Sequence, residues 1–266
     1  MYGEKYQATG NDFILLKTVP DNPVDTARKL CERHFGIGAD GLIYPVLSRN
    51  ADIGMQYYNA DGSIAPMCGN GLRTFARFIT AHAFISKETF TVETLGGIFT
   101  VHVAETVTID LMTPILAVSY PDYKTDTSFY NPLDFVVHDK HFTMHVLTLG
   151  TLHGVVFIDD DAFDFNRIGR ILSTHPDFPG GINVNFVKVE DDKNLSIRTY
   201  ERGAGATLSC GTGAAASAYA AHRLKYTSDI LRIHVPGGKL QVTIRDHVLL
   251  EGPAEKIATF TMEGGG

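Results

Sequence analysis

Apolar positions along this chain switch repeatedly between short runs, strict alternation and helical spacing, and each switch marks an element. The run Phe13-Ile14-Leu15-Leu16 follows the turn Gly10-Asn11 and reads as a buried strand over residues 12–17. Asp21-Asn22-Pro23 sets a capping side chain before a proline in a first turn, so a helix opens there and runs to about His34. The glycine-rich loop Phe35-Gly36-Ile37-Gly38-Ala39-Asp40-Gly41 leads into the short strand Leu42-Ile43-Tyr44. Residues 53–58 form another strand, closed by the turn cluster Asn59-Ala60-Asp61-Gly62-Ser63. Helical spacing then begins at Leu72 and continues to about His82. Residues 90–93, 98–103 and 107–111 read as an antiparallel meander with Gly96-Gly97 as one hairpin turn.

The second half follows the same order. Residues 148–158 are strand material interrupted by Gly150-Thr151-Leu152-His153-Gly154, and a helix over 163–172 follows Asp159-Asp160-Asp161. Strands at 182–189 and 195–200 come next, the second ending at Glu201-Arg202-Gly203-Ala204-Gly205. An alanine-rich helix starts near Ala214, and strands lie near 231–234, 240–244 and 248–250. Residues 257–262 alternate with period 2 and read as a strand returning to the first half.

The two halves share one short motif. Met67-Cys68-Gly69-Asn70-Gly71 precedes the first half's second helix, and Ser209-Cys210-Gly211-Thr212-Gly213 precedes its counterpart 142 positions later. The flanking features travel with it. Tyr58-Asn59 and Tyr200-Glu201 are also 142 apart, and Gly10-Asn11 precedes Gly150-Thr151 by 140. Gly96-Gly97 begins 28 residues after Cys68, and Gly237-Gly238 begins 27 after Cys210. Four features at nearly one offset indicate duplication. The expected fold is therefore α/β (α+β): two homologous domains related by a pseudo-twofold and joined near residues 112–126. The domains are expected at 1–114, completed by the C-terminal strand 255–266, and at 115–254. A length of 266 residues suits two domains of about 100–150 each.

Composition narrows the function. The formal net charge is −7 and no dense Lys/Arg run occurs, which argues against a nucleic-acid surface. Met1-Tyr2-Gly3-Glu4-Lys5 lacks the basic-then-apolar layout of a secretory leader. No apolar run approaches the roughly 20 residues that span a bilayer, so the chain reads as soluble and cytoplasmic, with neither membrane nor nucleic acid as partner. Three cysteines are too few for a disulfide scaffold. Neither Cys-x-x-Cys nor His-Glu-x-x-His occurs, and the 11 histidines show no ligand spacing, so no metal is expected. Cys31, in Ala27-Arg28-Lys29-Leu30-Cys31, is most simply a packed helix residue.

Cys68 and Cys210 are different because they are equivalent. A cysteine at a helix start sits beside backbone N–H groups and the positive end of the helix dipole. There a thiol pKa falls from about 8.5 toward neutrality. The N–H groups of Gly69, Asn70, Gly211 and Thr212 can cradle an anion. A carboxylate held between two such turns, with one sulfur on each face of its α-carbon, is arranged for stereoinversion. Three plainer readings stand beside this one. Either cysteine alone could be packing, the turns could bind phosphate although no Walker motif follows, or the two thiols could oxidise to a disulfide. The symmetry of the pair favours catalysis.

Three segments carry a resemblance. Ala8-Thr9-Gly10-Asn11-Asp12-Phe13, the stretch from Asn59 through Gly71, and the stretch from Glu201 through Gly213 resemble the diaminopimelate epimerase family. The resemblance covers nearly the whole chain. It implies two similar domains, each a mixed sheet wrapped around a central helix, with a cofactor-independent two-base mechanism. It further implies a homodimer and a role in making meso-diaminopimelate for lysine and cell wall. Cys68 and Cys210 match the family's base and acid, and Gly69, Asn70, Gly211 and Thr212 match its carboxylate cradle. Asn11, Asn59, Asn183 and Arg202 match substrate-binding positions. Glu201 matches a catalytic residue near the reacting amino group and one thiol, and His153 one that assists the thiol pair. Read without the resemblance, Asn11 and Asn59 are turn formers, His153 a strand-end residue and Glu201-Arg202 a surface pair.

One departure bears on the substrate. The family usually reads Gly-Asn-Pro-His where this chain has Gly150-Thr151-Leu152-His153. The asparagine serves the distal end of the family's substrate, and Thr151 offers a hydroxyl but no amide. A related racemase of another amino acid, such as histidine, is therefore the alternative. A non-catalytic amino-acid binder of the same fold would not need two thiols, and a thiol redox protein would be expected to carry Cys-x-x-Cys.

Overall fold

In the computed structural model, which describes residues 1–116 and 132–262, the chain forms two units. One comprises Met1–Asp110 and the C-terminal segment from Glu251; the other is Leu111–Leu250. Most of the stretch expected to join the halves, from residue 117 onward, lies outside the described residues.

The first unit contains β1 (Tyr2–Ala8), β2 (Asn11–Leu15), α1 (Pro23–Cys31), β3 (Gly41–Val46), β4 (Ile53–Asn59), α2 (Gly69–Ala81), β5 (Thr89–Thr94), β6 (Gly97–Val103) and β7 (Val107–Asp110). β1 pairs antiparallel with β2, β2 parallel with β3, β3 antiparallel with β4, and β4 parallel with β5. β5, β6 and β7 complete an antiparallel meander. α2 packs against β1, β2, β3, β4, β6 and β7, so the sheet wraps around it. Its fully buried Leu72, Phe75, Ala76, Phe78 and Ile79 fill that space. Each such side chain contributes about 1.5–3 kcal/mol by leaving water, except alanine, which contributes less.

The second unit contains β8 (Leu133–Val137), β9 (Lys140–Leu149), β10 (Thr151–Phe157), α3 (Phe165–Ser173), β11 (Asn183–Val189), β12 (Asn194–Glu201), β13 (Gly205–Thr207), α4 (Gly211–Arg223), β14 (Ile230–Val235), β15 (Gly238–Ile244) and β16 (Val248–Gly252). β9–β10 is antiparallel, β10–β11 parallel, β11–β12 antiparallel, β12–β14 parallel and β14–β15 antiparallel. That is the succession from β1 to β6, repeated. α4 is the counterpart of α2, packed against β9, β10, β11, β12, β14 and β15. It buries alanines 214, 215, 216, 218, 220 and 221, which let the surrounding strands approach closely. The final strand β17 (Glu255–Thr261) pairs antiparallel with β1. The fold is α/β with two similar units, each a mixed sheet around a central helix.

Several elements differ from the pattern-based expectation. α1 stops at Cys31 rather than near His34, because the next residues satisfy its end. The N–H groups of Ile37 and Gly38 donate to Leu30 O at 2.9 and 3.0 Å, and Ala39 N–H donates to Cys31 O at 3.1 Å. The Glu32 carboxylate accepts the N–H groups of His34 and Phe35, turning the chain out of the helix. The break expected at 150–154 is a one-residue turn at Gly150, with φ +71°, and His153 and Gly154 lie within β10. Gly154 is a glycine because a Cβ there would sit 2.4 Å from Met144 Sδ. β1, β8 and β13 were not evident from the pattern.

Gly36 makes the closest approach in the α1 exit: a Cβ there would lie 2.2 Å from Lys29 O and 2.7 Å from Glu32 O. These are backbone atoms that cannot swing away. Gly36→Ala is expected to destabilise the chain by about 1–3 kcal/mol, read as a lower midpoint in urea unfolding at unchanged slope.

Candidate active site

In the first unit, Cys68 is the N-cap of α2, with φ −144° and ψ 122°. Its Sγ accepts the Gly71 N–H at 3.5 Å, and its thiol donates to Asn11 Oδ1 at 3.7 Å. Asn70 Nδ2 donates to the same oxygen at 3.4 Å. Asn11 is aimed in turn by its Nδ2, which donates to the Asp40 carboxylate. Arg33 locks that carboxylate at 2.7 Å and also forks onto Asp12 at 2.9 and 3.2 Å. Burial opposes charge on Asp12, but hydrogen bonds from Arg33 and Lys5 outweigh it and hold the carboxyl below its ordinary range. Gly71 leaves room for Ile43 Cδ1, which would lie 3.0 Å from a Cβ. Asn59 ends β4, and its Nδ2 donates to Ser63 Oγ at 2.9 Å.

In the second unit, Cys210 is the N-cap of α4 in a similar extended conformation, with φ −115° and ψ 107°. Its sulfur lies 3.6 Å from Thr212 Oγ1. His153 Nε2 lies 3.2 Å from that hydroxyl and 3.1 Å from Thr151 Oγ1. Asn185 decides the imidazole tautomer. Its Oδ1 accepts from Thr199 Oγ1 at 2.9 Å, so its Nδ2 donates to Gly154 O at 3.1 Å and to His153 Nδ1 at 3.3 Å. Nδ1 is thus an acceptor, and the ring proton sits on Nε2, facing the two threonines. Burial pushes His153 down to about 3, with the positive Arg202 adding to the effect. The ring is neutral at physiological pH. Gly213 makes the arrangement possible, since a Cβ there would fall 2.3 Å from Asn185 Oδ1.

Asn183 links two further candidates. Its Oδ1 accepts the Arg202 N–H at 3.0 Å, and its Nδ2 donates to Thr151 Oγ1 at 3.3 Å. Arg202 Nη1 donates to Gly180 O at 3.0 Å, and Glu201 Oε1 accepts from Thr207 Oγ1 at 2.7 Å. Asn11, Cys68 and Asn70 therefore form one bonded group. Cys210, Thr212, His153, Thr151, Asn183 and Arg202 form another. Asp40, Arg33 and Asn185, which aim these groups, lie outside the repeated cysteine turns. Asn185 carries a signal nonetheless, a second amide at period 2 from Asn183 inside an apolar strand.

All three cysteines are free. Cys31 is 2% exposed, and burial, with Asp12 and Asp40 nearby, raises its thiol to about 12, so it is an unreactive packing residue. Among the described residues no group of His, Cys, Asp and Glu could hold a metal ion, and no helix is long and apolar enough to cross a membrane.

The neutral His153 generates a stability prediction. Unfolded, the ring titrates at 6.5; folded, at about 3. Its contribution is complete above the unfolded value and is lost as pH falls through the window between the two, by up to about 1.4 kcal/mol per pH unit. His153→Gln should flatten the fall in urea-unfolding free energy between about pH 7 and 5, where carboxylates do not yet titrate. Identical slopes for both proteins would contradict the buried neutral ring.

The family model of diaminopimelate epimerase matches residues 4–114 and 145–257, one segment for each cysteine turn. A relative in Alkaliphilus metalliredigens bearing that name is 36% identical over 269 residues, covering 96% of this chain and 94% of its own. Another, in Desulfitobacterium hafniense, is 38% identical over 266 residues, covering 94% of each. Among solved structures, a probable proline racemase from Agrobacterium radiobacter shares the fold, with a TM-score of 0.72 at 12% identity over 99% of this chain and 93% of that one. Likeness at this level over nearly the full length settles the kinship: the chain is an isomerase and belongs to the diaminopimelate epimerase family.

Proposed function

We propose that this chain interconverts LL- and meso-diaminopimelate by proton exchange between Cys68 and Cys210, without a cofactor, in the biosynthesis of lysine and peptidoglycan precursors. The observation that carries the reading is the pair of cysteine N-caps, each opening a central helix through Gly-polar-Gly. One sulfur, as thiolate, removes the α-proton, and the C–H electron pair passes into the carboxylate as an enolate-like charge. The other sulfur gives its proton to the opposite face and is left as the thiolate. The two thiols thus exchange protonation states in each turnover. N–H groups of Gly69, Asn70, Gly211 and Thr212 hold the developing charge, and each such donor is worth about 10²–10³-fold in rate. With base, acid and charge stabilisation all supplied by the chain, pyridoxal phosphate has no step to perform.

The remaining residues take supporting roles in this reading. Arg202 binds the distal carboxylate of the substrate, Asn11, Asn59 and Asn183 add further contacts to the substrate, and Glu201 faces the reacting amino group. His153 does not serve as a proton carrier at neutral pH, because its ring is neutral and its proton is directed at threonine hydroxyls. It positions Thr212, beside the Cys210 sulfur. We further infer a cytoplasmic homodimer, which light scattering of the purified chain would register as twice the 29.1 kDa monomer mass.

One observation favours a second reading, a racemase of a different amino acid such as histidine. Thr151 supplies a hydroxyl already engaged with Asn183 and His153, where the family places an amide for the distal end of its substrate. Leu152 beside it is buried in the core of the second unit.

Incubation with LL-diaminopimelate in deuterated water, without pyridoxal phosphate, is expected to place deuterium at one α-carbon. Cys68→Ala and Cys210→Ala should each lower that exchange by about 10²–10⁴-fold. Exchange into histidine but not diaminopimelate would favour the second reading. Exchange unaffected by either substitution would overturn the two-thiol mechanism.

A further inference from the structure

The hydrogen bonds behind the two cysteines run in opposite directions, and groups of fixed polarity decide each direction. In the second unit the deciding group is the Gly154 carbonyl, which only accepts. The Asn185 amide atom facing it at 3.1 Å is therefore Nδ2, and that nitrogen also donates to His153 Nδ1 at 3.3 Å. With its proton on Nε2, the ring donates toward Thr212 Oγ1 at 3.2 Å and Thr151 Oγ1 at 3.1 Å and accepts from neither. The Thr212 hydroxyl proton must point elsewhere, and among the described residues its other bonded partner is Cys210 Sγ at 3.6 Å. Cys210 makes no cap bond to its own helix, and this hydroxyl takes that place.

In the first unit two charged groups decide. Arg73, fully buried on α2, only donates, and its Nη2 meets Asn70 Oδ1 at 2.8 Å. That turns Asn70 Nδ2 toward Asn11 Oδ1, at 3.4 Å. The Asp40 carboxylate accepts from Asn11 Nδ2, which turns the same Asn11 oxygen toward Cys68 Sγ, at 3.7 Å. An amide oxygen has no proton to give. A thiol at Cys68 donates to it, whereas a thiolate would face its lone pairs. The Gly71 N–H at 3.5 Å fits a thiol, because its sulfur accepts as well as donates.

Other ionisable groups on the strands around each helix are engaged or lie outside. Beside α4, His145 on β9 packs on Phe157, Lys188 on β11 pairs with Glu190, and Arg198 on β12 lies over the Phe165 ring. Tyr200 also packs on Phe165, Glu201 accepts from Thr207, and His234 on β14 meets Asn194. Lys140, His141, Arg232 and Lys239 are exposed, and Tyr219, His222 and Arg223 lie toward the far end of α4. Beside α2, Glu4 pairs with Lys256 and His82, and Tyr2 and Tyr6 donate to it. Asp12 pairs with Arg33 and Lys5, Arg77 donates to the Ala104 and Glu105 carbonyls, and His102 bonds Thr89. Tyr44, Tyr57, Tyr58 and Asp110 complete the ionisable groups of those strands. Each network includes one arginine, Arg73 through Asn70 and Arg202 through Asn183. The direction of the hydrogen bonds, not the number of cations, separates the two sulfurs.

The first unit has no counterpart of the donor chain. The residue 142 positions before Asn185 is Ile43. Ile43 lies over Gly71 as Asn185 lies over Gly213, so an apolar side chain occupies the place from which Asn185 sets the tautomer.

We propose that Asn185 is a positioning residue that, through His153 and Thr212, holds a proton donor on Cys210, so that the resting protein carries its thiolate there and its thiol at Cys68. This rests on reading the two cysteines as an acid–base pair. Asn185 acts by fixing the imidazole tautomer, which denies the Thr212 hydroxyl the ring nitrogen as an acceptor. A hydroxyl directed at sulfur favours the charged form, and an amide oxygen directed at sulfur favours the protonated one. The duplicated turn is chemically asymmetric as a result, and Cys210 makes the first proton abstraction.

The test is alkylation of the full-length protein by iodoacetamide across a pH series, with Cys68 and Cys210 read separately by peptide mass. In the unaltered protein Cys210 should titrate at lower pH than Cys68, and NMR of nitrogen-labelled histidine should find the His153 proton on Nε2. Thr212→Val should raise the Cys210 midpoint by about one pH unit, cutting its labelling below the midpoint roughly tenfold, and leave the Cys68 midpoint in place. Thr212→Ser, which keeps the hydroxyl, should restore it. Asn185→Leu, which has no proton to give Nδ1, should raise the Cys210 midpoint as Thr212→Val does. A Cys68 midpoint at or below that of Cys210, or a ring proton on Nδ1, in the unaltered protein overturns the proposal and requires no variant to fold. An unchanged Cys210 midpoint in folded Thr212→Val or folded Asn185→Leu overturns it as well. Alkylation reads ionisation and not turnover, so loss of the epimerase reading would show in the exchange assay while this titration stood.

Discussion

A helix that begins inside a protein must satisfy its first N–H groups without water, and that constraint organises this chain. Both central helices pack within the curve of a sheet and both start on cysteine, Cys210 buried and Cys68 half-buried with Gly69, Asn70 and Gly71 buried behind it. A cysteine N-cap is a weak acceptor, as the 3.5 Å approach of the Gly71 N–H to Cys68 Sγ illustrates. The more usual Ser, Thr, Asp or Asn would satisfy the turn better. What a sulfur offers is a group that ionises near neutral pH beside donors able to hold an anion. Stability of the helix start is set against chemistry at it.

The same turn is supported by different means in the two units. In the first, ionic groups aim the amides: Arg33 fixes Asp40, which fixes Asn11, which meets the thiol. In the second, a neutral network does so: Thr199 fixes Asn185, which fixes the His153 tautomer, which meets Thr212 beside the sulfur. Asn11, His153, Asn185 and Thr199 sit on strands flanking the central helices, whereas Arg33 and Asp40 reach the first network from the loop between α1 and β3. The duplication preserved backbone and cap; the polar groups behind each cap diverged.

The duplication was legible in sequence because its turns need glycine. Gly10 and Gly150 adopt φ +86° and +71°, and Gly97 and Gly238 adopt +127° and +142°, conformations that few other residues tolerate. β1 was not legible, because Glu4 points inward with Tyr6 and Ala8 and breaks the apolar alternation. Its charge is buried only because Lys256 and His82 arrive from far along the chain. The end of α1 was misjudged because loop N–H groups and the Glu32 side chain cap it, a tertiary event with no local signature. In the site, cysteines and asparagines within repeated turns stood out, whereas Arg73 looks from sequence like any helix arginine. Only its complete burial sets it apart.

The central claim is that two thiols serve one carbon. A crystal structure of the chain with bound diaminopimelate tests this most directly, through the distance from each sulfur to the reacting α-carbon. The account predicts both Cys68 Sγ and Cys210 Sγ at about 3.5 Å, on opposite faces, with the carboxylate against the N–H groups of both helix starts. A ligand held with only one sulfur near its α-carbon, or with both on the same face, would contradict it.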